Sequence, residues 1–155
     1  MADPRRIGVL ITSRAMSLHF PVNHPLRRIY RMLAFAAGLF VFAFGVVGFF
    51  TTLGAPLFEV GGDRALGLRT NPAFSYASIA VGAIVVLATL LGRNVDRFVY
   101  LWVGTGFLLA GTAMMLLMNT AETNVLNFTM ATCIVSFLIG SVLSTAGMYV
   151  KAQRA

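Results

Sequence analysis

Ionisable residues are missing from more than half of this chain. Met32 to Leu53, Ala73 to Leu91, Phe98 to Met118 and Phe128 to Val150 contain no Asp, Glu, Lys, Arg or His. That absence removes the groups on which ion coupling, proton relay and acid–base catalysis within a membrane depend. Cysteine occurs once, at Cys133, which excludes an internal disulfide and any CxxC pair, and a buried, unreactive thiol is expected. His19 and His24 are the only histidines. Both precede the first apolar run, without a carboxylate or cysteine cluster beside them, so no intramembrane His pair exists to hold a haem. No glycine-rich loop runs into Lys and Ser or Thr to cradle a phosphate. Met114, Met115 and Met118 are closely spaced, yet apolar Met clusters are commonly pliable packing rather than a copper site. The residues therefore predict no catalytic group, no metal site, no cofactor and no nucleic-acid partner.

What the chain does have is length without charge. Each run holds about 20 residues, enough for a helix to cross a hydrocarbon layer of roughly 30 Å at about 1.5 Å per residue. With 58% apolar and 11% charged residues, the composition is unlike that of a soluble domain. The first run carries twelve Leu, Phe and Val side chains, which favour insertion by about 4 to 7 kcal/mol before position is considered. The expected fold is all-α, an integral membrane bundle of four transmembrane helices, made of a basic N-terminal arm (1–31), the four-helix domain (32–150) and a short tail (151–155).

Basic residues give the orientation, because Lys and Arg near span ends stay cytoplasmic. Ten fall on one side, in the arm, the second connection and the tail, against Arg64 and Arg69 on the other. Both termini are thus expected in the cytoplasm of a bacterial cell, the chain lying in its inner membrane. Tyr30, Tyr100, Trp102 and Tyr149 fall near that boundary, at the depth amphipathic rings favour. Arg5 and Arg6 precede a short apolar patch, but Thr12, Ser13 and Arg14 interrupt it before a signal-peptide core can form. Arg5, Arg6, Arg14, Arg27, Arg28 and Arg31 are candidate contacts to anionic lipid or to a partner.

The longest connection, Gly54 to Pro72, is expected outside and ordered, with Gly61, Gly62 and Asp63 turning and Leu57, Phe58, Val60, Leu66 and Leu68 folding back on the helix ends. Asn71 and Pro72 read as the cap and first residue of span two. Asn127 reads as the cap of span four, and Asn127, Phe128 and Thr129 match a glycosylation sequon. The few outside charges, Glu59, Asp63, Arg64, Arg69 and Glu122, are expected to be solvated.

Helical periodicity gathers small residues into stripes. Thr129, Cys133, Ser136, Gly140, Ser144 and Gly147 share one arc of span four, and Gly38 and Gly45 lie on the stripe of span one. Span three has two opposed faces, Gly104 with Gly111 and Gly106 with Ala110 and Ala113. Such residues let helices approach closely in lipid. Gly38, Gly45, Gly104, Gly111, Ser136, Gly140, Ser144 and Gly147 are the expected helix-packing residues, with a dimerisation face as the lesser reading.

Three segments carry a resemblance: Asn23-His24-Pro25-Leu26-Arg27-Arg28-Ile29-Tyr30-Arg31, Ala65 to Ser75 with Arg69-Thr70-Asn71-Pro72 at its centre, and Leu91-Gly92-Arg93-Asn94-Val95-Asp96. Together with Asn127-Phe128-Thr129 and Ile134 to Gly140, they resemble a four-helix membrane family known mainly from actinobacteria and catalogued only as a domain of unknown function. The resemblance spans about Asn23 to Lys151. It implies the four-span architecture and carries no catalytic residues. The expectation is a non-enzymatic accessory or scaffold subunit that contacts membrane lipids and other membrane subunits or itself; the alternative is a small carrier or channel for an uncharged or lipid-like solute.

Overall fold

A computed structural model describes residues 24–120 and 122–151. Four helices run through them in antiparallel succession: α1 (Arg27–Thr51), α2 (Pro72–Leu91), α3 (Val95–Leu117) and α4 (Met130–Tyr149). All four are long and apolar enough to cross a membrane, as a multi-pass membrane protein requires. The helices differ from the apolar runs at their ends. The first begins five residues early and takes in Arg27, Arg28 and Arg31, so the end of the basic arm is helical. The third begins at Val95 and takes in Asp96 and Arg97.

Start signals act where local chemistry is strongest. Asn71 caps α2, its side chain accepting the Phe74 N–H at 2.9 Å, with Pro72 as first residue. Asn127 does not cap α4. Thr129 takes that position, its hydroxyl accepting from the Thr132 N–H, while Asn127 sits two residues earlier at φ 54°. Asn tolerates that left-handed conformation better than most residues, and its amide is aimed elsewhere.

The bundle is built as two hairpins. α1 packs closely along α2 and α3 along α4, whereas the α1–α4 and α2–α3 seams are much less extensive. Small residues explain the close pairs. Gly38 faces the Val85 side chain, Gly45 meets Ile79 and the Ser75 carbonyl, and Gly82 sits against the backbone of Phe42. In the second hairpin, a Cβ added to Gly104 would stand 2.6 Å from the Ser144 nitrogen, and one on Gly140 would stand 2.9 Å from the Gly104 carbonyl. Gly147 lies against Leu101, and Gly111 against Ser136 and Phe137. Helices in lipid gain little from burying apolar surface, so this backbone approach supplies the packing attraction. Val41, Val85, Tyr100, Ile139 and Leu143 fill the centre.

A miniature hairpin covers the loop end: β1 (Arg64–Ala65) pairs antiparallel with β2 (Leu68–Arg69), Ala65 opposite Leu68. The turn is at Leu66 and Gly67, both with positive φ, as a two-residue type I′ connection needs. The connection is therefore folded, but of the apolar residues expected to turn inward only Leu68 does so, half-buried beside Phe40, Val41 and Phe74. Leu57, Phe58, Val60 and Leu66 are exposed, while Ala65, Thr70 and Asn71 are buried. Hydrogen bonding decides this: the loop is fixed by polar groups that reach across the bundle, which leaves the other large apolar side chains on its outer surface.

Candidate functional site

At the end that carries the described termini, one acid sits among six basic side chains of the described residues. Asp96, in the first turn of α3, is fully buried. A carboxylate there opposes the positive helix start, and Asp96 Oδ1 accepts the Arg97 N–H at 3.0 Å. Oδ2 lies 3.2 Å from Arg31 Nε, and Arg31 Nη2 donates to the Thr89 carbonyl at the end of α2. The Thr89 hydroxyl donates to the Val85 carbonyl at 2.7 Å, so the buried Tyr100 hydroxyl, 2.6 Å away, donates to Thr89. Gly92, at φ 61° and ψ −128°, turns the chain from α2 into α3 in a conformation that glycine adopts freely. Arg27 Nε donates to the Val150 carbonyl at 2.8 Å, while Tyr30 and Tyr149 stack 5.0 Å apart with His24 edge-on to both.

Three expectations change here. Arg31 and Arg27 are engaged inside the molecule rather than wholly available to lipid, because a buried carboxylate and unpaired helix-end carbonyls face them. Tyr100, near the basic end, is buried within the bundle against Thr89 instead of facing the headgroups. Arg28 stays exposed, and Arg5, Arg6 and Arg14 lie outside the described residues. Sequence reasoning missed Asp96 as a site residue; the available signal was an acid between Arg93 and Arg97, just ahead of an apolar run.

The loop end holds a second polar assembly. The Asn71 amide donates to the carbonyls of Val125 at 2.9 Å and Glu59 at 3.2 Å. Reciprocally, the Asn127 amide donates to Thr70 at 2.9 Å and Gly61 at 3.1 Å. Each asparagine thus reaches from one hairpin into the loop of the other. Phe74 and Phe128 pack across the same junction, ring centres 4.8 Å apart. Asn127 is buried with its amide engaged, which closes the sequon to modification in the folded protein.

Between these ends the α2–α3 seam opens into an apolar cavity of about 240 Å³, lined among others by Ala77, Val81, Gly106, Ala110 and Phe128. Ser78 and Ser136 supply its polar side chains. A cavity of about 150 Å³ suffices for a benzene ring, so a bulky side chain or part of an acyl chain fits. Gly106 has nothing within 4 Å of its added Cβ, unlike each of the other glycines within the four helices. Cys133 is buried and free, and among the described residues no three His, Cys, Asp or Glu converge on a metal site. Comparison with protein-family models, with curated proteins and with solved structures finds no match.

Proposed function

We propose that this chain is a non-enzymatic protein of a bacterial inner membrane that works by association, as an accessory or scaffold subunit beside a larger membrane complex. The supporting observation is the open face at Gly106. In a bundle where every other helical glycine is in contact, Gly106 and Ala110 border an unfilled apolar cavity. A transmembrane helix of a partner, inserting one large side chain there, gains the close backbone approach that small residues allow. Arg27, Arg31 and Asp96 at one end and Asn71 and Asn127 at the other bond inward, across the bundle, which suits a rigid part more than a moving one. The basic end is placed in the cytoplasm by the charge rule.

Gly106→Leu fills the face from the bundle's own side. It is expected to abolish co-purification of partner subunits from mild-detergent extracts while leaving thermal stability within a degree or two. Partners retained by Gly106→Leu would sink the reading. The same cavity also supports the carrier alternative for a lipid-like solute; solute movement across vesicles by the reconstituted chain alone would put that reading in place of this one.

A further inference from the structure

We infer that the groove between the start of α1 and the end of α2 binds one anionic phospholipid. The groove, of about 690 Å³, is lined by Arg28, Arg31, Met32, Phe35, Thr89 and Leu90. Its α1 wall changes character along the helix. Arg28 and Arg31 are neighbours at i and i+3, and Met32 and Phe35 follow on the same face, so about two turns run from cation to hydrocarbon. A phospholipid makes the same change from phosphate to acyl chain.

Charge favours an anionic headgroup. The described part of this end carries Arg27, Arg28, Arg31, Arg93, Arg97 and Lys151 against Asp96 alone. Arg31 is held in place by Asp96 through Nε and by the Thr89 carbonyl through Nη2, which presents its guanidinium charge to the groove on an ordered side chain. Arg28 is exposed beside it, and a guanidinium offers the planar fork that phosphate oxygens accept. Below the arginines, Met32 and Leu90 are 71% and 69% exposed, an apolar strip along which an acyl chain lies. Phosphate sits between Arg28 and Arg31, the chain along Met32, Phe35 and Leu90.

The test uses the full chain in mild detergent, titrated with dioleoylphosphatidylglycerol or dioleoylphosphatidylcholine, with retained lipid counted by native mass spectrometry. One phosphatidylglycerol should be held in preference to phosphatidylcholine. Arg28→Gln should weaken it roughly fivefold, the effect of one basic residue near an anionic surface. Arg93→Gln, exposed at the same end but outside the groove, should leave retention unchanged. Inorganic phosphate at millimolar concentration should not displace the lipid, since it cannot use the apolar strip. Equal retention of both lipids, an unaffected Arg28→Gln, equal losses in Arg28→Gln and Arg93→Gln, or displacement by phosphate each overturns the site. None of those results touches the association face, because Gly106 lies in a different seam.

Discussion

Removing either partner of the Arg31–Asp96 pair should cost different amounts, and the difference follows from burial. Asp96 is wholly buried, whereas the Arg31 side chain is 31% exposed. Arg31→Met strands a carboxylate in the protein interior and releases the Thr89 carbonyl; loss of one member of a buried pair costs about 3 to 5 kcal/mol. Asp96→Asn keeps the shape and an oxygen for the Arg97 N–H. It leaves a cation that can swing toward water or headgroups, so the cost falls to about 1 to 3 kcal/mol, that of a buried hydrogen-bonding group left unmet. The double variant, with a neutral amide opposite a thioether, should be more stable than Arg31→Met alone, because no buried charge remains. Unfolding of the detergent-solubilised chain by a graded denaturing detergent, followed by loss of helical circular dichroism, gives the three values. Equal costs for the two single variants, or a double variant that sums them, would refute the reasoning from burial.

Gly140→Leu, at the Gly104 crossing, should overpack the second hairpin and lower stability by about 1 to 3 kcal/mol; Leu138→Phe, on an exposed face, should change it little in the same assay. Asn127→Ala removes donors to Thr70 and Gly61 and should lower thermal stability by about 1 to 3 kcal/mol through the two carbonyls left unmet. For topology, reporter fusions within 54–71 or 119–127 should read outside and fusions after Arg93 or Lys151 inside, and an inside signal near Gly61 would overturn the orientation.

The spans, the Asn71–Pro72 start and the small-residue stripes were legible because each is a local or periodic signal. A helical repeat places Gly140 and Gly147 on one face whatever they touch, and Pro lacks a donor wherever it stands. The Arg31–Asp96 pair, the Thr89–Tyr100 hydrogen bond and the Asn127 amide are of another kind. Each joins residues from different helices or loops, and nothing in the spacing of 31 and 96 announces that they meet. Arg31 therefore read as a lipid contact with no internal partner, Tyr100 as an interfacial ring and Asn127 as a cap, each by a rule that holds for a helix considered alone. The Gly106 face was visible as a second small-residue stripe, but only the arrangement of α2 and α3 leaves it without a neighbour.

Those long-range bonds share a further property: they join the two hairpins at the ends of the bundle. Arg27 to Val150, Arg31 to Asp96 and Thr89 to Tyr100 do so at the basic end. Asn71 to Val125 and Asn127 to Thr70 do so at the other. Along their length the two seams between the hairpins are less extensively packed than the hairpins themselves, and the cavity lies in one of them. Polar latches belong where water and headgroups can solvate the open state, and helices in hydrocarbon associate weakly unless backbones come close. Separation of intact hairpins is then the cheapest way for the bundle to open. A chain divided after Arg93, at the α2–α3 turn, should accordingly insert as two helical hairpins that find each other when co-expressed. Asp96→Asn and Asn127→Ala should each weaken that association, since their partners lie in the other half, whereas Leu138→Phe should not. Halves that associate equally well with both latches removed would show that the mid-depth seam, and not the ends, holds the bundle together.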